Sequence, residues 1–130
     1  MKLLMHVLKK NNKFGIDNET LPFREISDKL KEEFYEVIKA INNYIHDKTL
    51  LNLKEIIRET FDVIQICILI LWRCHRQALD IDYPTLIQEI NIEHKDKLAQ
   101  REWIVETGIE IDVKEWITSG RKGKERITSV

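Results

Sequence analysis

Residues 59–72, ETFDVIQICILILW, decide how this chain folds. Their aliphatic side chains recur at helical spacing, and from Val63 to Trp72 nearly every side of the helix is apolar. A helix that is apolar all round must be covered all round. The other helices of one 15.5 kDa chain can cover such a helix on all sides only with difficulty. We therefore expect a homo-oligomer, a dimer or a tetramer, with this helix at its centre.

Composition narrows the class of protein. The 130 residues suit one soluble globular domain, with 43% hydrophobic and 33% charged residues. Two prolines and four glycines are too few for a β-sandwich. The net charge of −1 gives no case for binding nucleic acid. The apolar run ends at Arg73 and is shorter than the roughly 20 residues that cross a bilayer, so we expect no membrane segment and no membrane partner.

Hydrophobic periodicity predicts an all-α fold, a four-helix-bundle-like core completed by oligomerisation. The helices are expected to run from Ser27, an N-cap, to about His46; from Asn52, in a capping box with Glu55, to about Leu79; and from Pro84 onward. The residues expected to form the buried face of the first helix are Ile26, Leu30, Phe34, Val37, Ile38, Ile41 and Ile45.

The two ends of the chain are less regular. Residues 2–10 are expected to form a short helix, followed by a loop. Near the other end, Ile109, Ile111 and Val113 alternate as in a strand, whereas Asp112 could equally begin a helical turn, so a short β or helical C-terminal extension is expected. The domain is assigned to residues 1–117 and a basic flexible tail to 118–130. In one hypothesis, residues 104–130 cover the functional site as a lid. Deleting these residues would test the hypothesis.

Two cysteines occur in the second predicted helix, Cys67 and Cys74. Two helical turns separate them by roughly 10 Å, beyond the reach of a disulfide. We interpret both as reduced core residues of a cytoplasmic protein.

Carboxylates stand beside the apolar face in both long helices. KEEFYEVIKAI, residues 31–41, carries Glu32, Glu33 and Glu36, and the second helix carries Glu55, Glu59 and Asp62. If the two helices pair as a hairpin, four carboxylates converge: Glu33, Glu36, Glu59 and Asp62. Two like charges 4 Å apart repel by about 1 kcal/mol in water and by more when partly buried.

A divalent cation would offset this repulsion. Oxygen-only ligands favour magnesium, manganese or calcium. A di-iron bundle requires Glu-x-x-His pairs, and none of the four histidines has a Glu three residues before it. The alternative is an ordinary solvated helix surface.

These motifs resemble those of a known family. EEFYE (32–36) followed by ETFD (59–62) has the pattern EExxE and then ExxD of the MazG-like, all-α nucleoside triphosphate pyrophosphohydrolases. That superfamily includes the dimeric dUTPases and dCTP pyrophosphatases. The resemblance covers roughly residues 26–103. EHKDKLAQREW (93–103) also resembles a third-helix signature in which a Lys and an Arg four residues apart face the substrate, here Lys97 and Arg101.

The resemblance implies hydrolysis of a nucleoside triphosphate to the monophosphate and pyrophosphate, in clean-up of the nucleotide pool. Glu33, Glu36, Glu59 and Asp62 would hold Mg²⁺, or Mn²⁺, and Glu32 would be an outer ligand or orient the attacking water. The residues implied to pair with the phosphates are Lys97, Arg101, Lys95 and His94. One alternative is a non-catalytic helical binding or regulatory module that keeps the fold. A minor one is a phosphoribosyl-ATP pyrophosphohydrolase.

Overall fold

A computed structural model describes residues 1–114 of the chain. Its elements are a two-stranded antiparallel hairpin, β1 (Lys10–Asn11) and β2 (Ile16–Asp17), followed by α1 (Phe23–His46), α2 (Leu50–Asp80) and α3 (Leu86–Gln100). The expected mostly helical fold is confirmed for this part of the chain. None of the three helices has an apolar stretch of the length that a bilayer crossing requires.

The chain divides into two compact units. One is Met5–Ile90, which holds the β-hairpin, α1, α2 and the first turn of α3. The other joins Met1–Leu4 to the described residues from Asn91 onward. The expected carboxylate cluster belongs to the first unit, and the expected phosphate-pairing residues belong to the second.

Helix α1 begins at Phe23, four residues before the expected N-cap at Ser27. Pro22 occupies the cap position with φ −58°, and its carbonyl oxygen accepts hydrogen bonds from the backbone N–H groups of Glu25 and Ile26 at 2.9 and 3.1 Å. A proline already holds φ near the helical value and lacks the N–H that a first turn leaves unused. Pro22 therefore starts the helix, and Ser27 lies inside it.

The turn between α1 and α2 consists of residues 47–49 and is built around Asn52. Thr49 is the N-cap of α2, and its side-chain oxygen accepts a hydrogen bond from the backbone N–H of Asn52 at 3.2 Å. The Asn52 amide donates to the carbonyl oxygens of Asp47 at 2.8 Å and Asn43 at 3.4 Å. The expected cap at Asn52, paired with Glu55, is therefore wrong, because Asn52 instead ties the end of α1 to the start of α2.

Helices α1 and α2 pack against each other, and each carries a row of buried or half-buried residues spaced alternately by three and four. We call these two rows the α1–α2 seam. All of its members are buried or half-buried: Ile26, Leu30, Glu33, Val37, Ala40 and Tyr44 on α1, and Asn52, Ile56, Glu59, Val63, Ile66, Ile70 and Arg73 on α2. This 3-4 spacing brings successive residues onto one face of each helix. Because α1 and α2 contact each other and only residues 47–49 separate them, they form an antiparallel helical hairpin.

The expected buried face of α1 is only partly correct. Ile26, Leu30 and Val37 are buried or half-buried, whereas Phe34, Ile38, Ile41 and Ile45 are exposed. The exposed residues follow the seam residues and are turned about 100° away from α2. Periodicity identified an apolar stripe that is wider than the contact with α2.

The expected helix over residues 2–10 is wrong. Residues 1–9 have no regular secondary structure, and the chain then turns through the β-hairpin. Gly15 takes φ +64° in the hairpin turn, a left-handed conformation that glycine adopts without steric cost. The Asn18 side-chain amide donates to the carbonyl oxygen of Leu8 at 3.0 Å. The Asn18 side chain thus binds a backbone carbonyl oxygen that would form an intrahelical hydrogen bond if residues 2–10 were a helix.

Helix α3 begins at Leu86, two residues after the expected start at Pro84. It ends where Glu102 takes φ 64°, with Trp103 donating its backbone N–H to the carbonyl oxygen of Leu98 at 3.2 Å. Residues 103–114 form neither helix nor strand, so of the two alternatives for this segment the strand at Ile109, Ile111 and Val113 is wrong. The continuation of a helical turn from Asp112, the 118–130 tail and most of the proposed lid lie outside the described residues.

The two cysteines are free, as expected. Their burial is not as expected, because Cys67 is exposed and Cys74 is half-buried.

Candidate metal centre

Two glutamates occupy positions in the α1–α2 seam that would otherwise take apolar residues. Glu33 follows Leu30 and precedes Val37 in the α1 row, and all three are half-buried. In the α2 row, Glu59 holds the same kind of place between Ile56 and Val63. Burying a carboxylate costs free energy unless a hydrogen-bond donor or a cation compensates it. This placement distinguishes the two glutamates from charges on a solvated helix face.

Three carboxylates converge at this point of the hairpin. One carboxylate oxygen from each of Glu33, Glu59 and Asp62 lies within 4.8 Å of the other two. Glu33 and Glu59 are half-buried and Asp62 is exposed, so the cluster opens to solvent on one side. Glu59 and Asp62 are three residues apart on one helix, which places them about one turn apart on neighbouring faces.

The pKa of Glu33 is raised above its ordinary value of 4.5. Partial burial is the largest cause, followed by the negative charges of Asp62 and Glu59, and then those of Glu32 and Glu36. Each cause disfavours the ionised form. Burial and the four neighbouring carboxylates thus all oppose a negative charge on Glu33, and a bound positive charge would offset them.

The pKa of Glu59 is raised for the same reasons. Burial contributes most, followed by the charges of Asp62, Glu36 and Glu55. Two raised values on facing helices show that the cluster is coupled across the hairpin, and a cation bound there would relieve both.

The remaining expected carboxylates border the cluster. Glu36 is half-buried and close enough to raise the pKa of both Glu33 and Glu59, but it is not one of the three residues whose oxygens converge. Glu32 is exposed and contributes to the raised pKa of Glu33. Of the four carboxylates expected to converge, Glu33, Glu59 and Asp62 do so, and Glu36 stands beside them.

The donor set fits a hard divalent cation. All converging atoms are carboxylate oxygens. Mg²⁺ and Mn²⁺ prefer oxygen ligands, whereas softer metals prefer nitrogen or sulfur. Exposed acidic groups are common without an ion. The specific argument here is the burial of Glu33 and Glu59 in the packing seam and their raised pKa values.

The expected phosphate-pairing residues lie at the end of α3, in the second compact unit. His94, Lys95 and Lys97 are exposed on the helix, and Arg101 follows in the turn. The backbone N–H of Arg101 donates to the carbonyl oxygen of Lys97 at 3.1 Å, so these two residues stand one turn apart. Both side chains are exposed, as binding a phosphate from solution requires.

One cation near the cluster was not singled out from the sequence. Arg58 precedes Glu59 and forms an ion pair with Glu55, one turn earlier on α2. The three-residue spacing between Glu55 and Arg58 is the signal that predicts this pair. Among the ion pairs of the described residues, it is the one on α2 beside the carboxylates.

Comparisons with family models, curated proteins and solved structures give no significant match to this chain.

Proposed function

We propose that this protein is a magnesium-dependent nucleoside triphosphate pyrophosphohydrolase. It would convert a nucleoside or deoxynucleoside triphosphate to the monophosphate and pyrophosphate. The observation that carries the proposal is the convergence of Glu33, Glu59 and Asp62 oxygens within 4.8 Å of one another, with two of these residues in the packing seam of a helical hairpin. The motifs EEFYE and ETFD, with their resemblance to the MazG-like superfamily, supply the reaction.

Each residue has a distinct part in the proposed reaction. Glu33, Glu59 and Asp62 would hold Mg²⁺, with Glu36 as a fourth carboxylate at its edge. The bound ion would neutralise charge on the phosphate oxygens and lower the pKa of a coordinated water. Glu32, exposed beside Glu33, would orient the attacking water or act as an outer ligand.

The substrate phosphates would be held by the cations at the end of α3. Arg101 offers a planar guanidinium that pairs bidentately with phosphate, and Lys97 offers a point charge one turn away. Lys95 and His94 would add weaker contacts. We further propose a cytoplasmic location.

A non-catalytic binding or regulatory module is the alternative from a different class. This alternative requires only the carboxylate cluster of the first unit and makes no use of the cations in the second. In that case the same cluster would bind a cation without turnover. A phosphoribosyl-ATP pyrophosphohydrolase remains the minor enzymatic alternative, and a substrate panel distinguishes it.

The test is pyrophosphate release from a panel of canonical and modified nucleoside triphosphates and phosphoribosyl-ATP, with Mg²⁺ and with chelator. We expect Mg²⁺-dependent release that falls by about 100-fold or more in Glu59→Gln, as for loss of a major electrostatic contributor to catalysis. Glu55→Gln is the matched control: the same change, one turn earlier on the same helix, outside the converging trio. It should retain activity.

Two results would contradict the enzymatic proposal. One is no pyrophosphate release from any substrate by folded protein. The other is release that Glu59→Gln and Glu55→Gln reduce equally. If magnesium still raises the melting temperature while nothing is hydrolysed, the binding-module alternative is supported instead.

A further inference from the structure

Contacts across the α1–α2 hairpin set the register of the two helices. Near the turn, the Asn52 amide donates to the carbonyl oxygen of Asn43 at 3.4 Å. Further along, carboxylate oxygens of Asp62 and Glu33 converge. Both contacts follow one register, because Glu33 is ten residues before Asn43 on α1 and Asp62 is ten residues after Asn52 on α2. Residues between these two pairs can therefore be placed level with one another.

Residues that directly precede a seam residue share one side of the hairpin. One residue turns a right-handed helix by 100°. Because the two helices run in opposite directions, the same turn away from their contact brings both rows to the same side. Glu36 precedes Val37 on α1, and Asp62 precedes Val63 on α2. We call this the carboxylate side of the hairpin.

Two cations, Arg58 and Lys39, also lie on the carboxylate side. Arg58 directly precedes the seam residue Glu59, and Lys39 directly precedes the seam residue Ala40. Both cations are exposed, and both belong to the compact unit Met5–Ile90 that holds the carboxylates. In the register of the hairpin they are two residues, or about 3 Å, apart along its axis. They therefore stand across from each other, at the end of the carboxylate cluster that is nearer to the turn.

The guanidinium of Arg58 is directed away from the converging carboxylates. It pairs with Glu55, one turn earlier, and not with Asp62, one turn later. Side chains of an α-helix lean towards its N-terminus, which accounts for this choice. The causes that raise the pKa of Glu59 are burial and neighbouring carboxylates. Arg58 thus leaves the cluster available to a metal ion while its own charge stays close by.

A metal-bound diphosphate group matches this arrangement. Mg²⁺ in proteins is commonly held by carboxylates together with phosphate oxygens. Residues four apart on a helix have Cβ atoms roughly 5–6 Å apart, so Arg58 can reach a ligand that is bound at Asp62. A guanidinium pairs bidentately with phosphate, and Lys39 adds a point charge from the other helix. A diphosphate carries more negative charge than one carboxylate and therefore competes with Glu55 for the guanidinium.

We propose that Arg58 and Lys39 bind the diphosphate portion of a nucleotide whose oxygens coordinate Mg²⁺ at Glu33, Glu59 and Asp62. Arg58 turns from Glu55 to the phosphate oxygens on binding, and Glu55 touches neither the metal nor the phosphate. The proposal rests on the proposed function for its metal ion. It adds phosphate-binding residues on the hairpin itself to those of α3, and it can be tested without turnover.

The test is isothermal titration calorimetry of the full chain, with Mg²⁺ alone and with pyrophosphate at saturating Mg²⁺. We expect Arg58→Gln to raise the dissociation constant for pyrophosphate about 10-fold or more, because a charge-assisted pair is lost. Mg²⁺ alone should bind this variant at least as tightly as the wild type, since no metal ligand is removed and a nearby positive charge is. Lys39→Gln should show the same pattern with a smaller loss. Glu59→Gln should weaken the binding of both ligands.

Each variant has a matched control. Arg76→Gln makes the same change at an exposed position on α2, roughly 27 Å beyond Arg58 at 1.5 Å per residue. Lys31→Gln changes an exposed lysine of α1 that follows the seam residue Leu30 and so lies on the opposite side of the hairpin. Both should bind pyrophosphate as the wild type does. Circular dichroism checks that all variants keep their helices.

The outcomes separate this proposal from the proposed hydrolysis. Pyrophosphate binding that Arg58→Gln leaves unchanged, or that Arg76→Gln weakens equally, would overturn the phosphate-binding role. So would a folded wild type that binds no pyrophosphate with Mg²⁺ at about 1 mM. Nucleotide hydrolysis with the same KM in Arg58→Gln would overturn it and leave the enzyme standing. Mg²⁺-dependent pyrophosphate binding that Arg58→Gln weakens, in a protein that hydrolyses nothing, would support it and reject the enzyme.

Discussion

The buried guanidinium of Arg73 donates a hydrogen bond to the carbonyl oxygen of Leu21 at 2.6 Å, across 52 residues of sequence. It also donates to the carbonyl oxygen of Asn18 at 3.0 Å, and its carbon lies 4.8 Å from the ring centroid of Phe23. One side chain of α2 thus binds the segment that leads into α1. Arg73 thereby fixes the start of α1 against α2, on the helices that carry the carboxylate cluster.

Arg73→Ala should lower the free energy of unfolding by about 2–4 kcal/mol, because two carbonyl groups lose their donor and the cation–π contact disappears. Urea unfolding measures this. Arg76→Ala, an exposed arginine on the same helix, should change stability by less than about 0.5 kcal/mol. Equal effects of the two substitutions would show that the Arg73 contacts contribute nothing specific.

The raised pKa values of Glu33 and Glu59 make stability depend on pH when no metal is bound. A carboxyl group whose pKa is higher in the folded state binds protons more tightly there than in the unfolded chain. The free energy of unfolding therefore falls as the pH rises from the ordinary value of 4.5 through the raised values, and levels off above them. Thermal unfolding in chelator, from pH 4 to pH 8, measures the decline.

Glu33→Gln is the informative variant in that experiment. It removes one repelling charge, so its decline should be shallower than that of the wild type, and at pH 7 in chelator it should be at least as stable. With Mg²⁺ the order should reverse, because ligand at 100 times its dissociation constant stabilises by about 2.7 kcal/mol and the variant has lost a ligand. Glu55→Gln should respond to Mg²⁺ as the wild type does. The expectation fails if Mg²⁺ stabilises Glu33→Gln as strongly as the wild type.

Asn52→Ala should cost about 1–2 kcal/mol of stability. It removes the amide that donates to the carbonyl oxygens of Asp47 and Asn43, and those groups close the turn between α1 and α2. Asn42→Ala, at an exposed position on α1, is the control and should be neutral or slightly stabilising, since alanine favours a helix. Thermal denaturation of both variants measures the two changes in stability. An Asn52→Ala variant as stable as the wild type would mean that Thr49 alone closes the turn.

Asp82→Gly should stabilise the protein by about 0.5–1 kcal/mol. Asp82 takes φ 56° just after α2, where glycine has no steric penalty, and the next N–H, of Tyr83, closes the helix end on the carbonyl oxygen of Ala78 at 2.8 Å. Asp80→Gly, in the last residue of α2, should have the opposite sign, because glycine is unfavourable inside a helix. A destabilised Asp82→Gly would show that the aspartate side chain outweighs the strain.

The sequence predicted three helices and, on each of the two long ones, carboxylates that neighbour one another. Both features follow from the spacing of residues along a single helix. Glu33 and Glu59 stand at fixed intervals from apolar residues, and two consecutive helices with a short turn can hardly avoid pairing. The convergence of Glu33, Glu59 and Asp62 could be anticipated for that reason. The exposure of Phe34 and Ile38 could not be anticipated, because periodicity gives the direction of an apolar stripe and not the element that covers it.

The errors at the chain ends have another physical origin. Residues 2–10 have helical spacing of leucine and valine, yet their backbone polar groups bind partners brought from elsewhere, as when Asn18 donates to Leu8 and Gln65 donates to His6. Such tertiary hydrogen bonds override a weak local preference. No pattern within residues 2–10 could reveal them.

The short turn that Asn52 closes also bears on the order in which the molecule folds. All three converging carboxylates come from two helices adjacent in sequence, whereas the Arg73 contacts join residues more than 50 positions apart. Contacts between neighbouring elements close small loops and form quickly, and distant ones form later. A cation in the surrounding solution would therefore meet its ligands already assembled while the N-terminal segment is still unattached, and would favour the native pairing of the two helices from the first stage of folding.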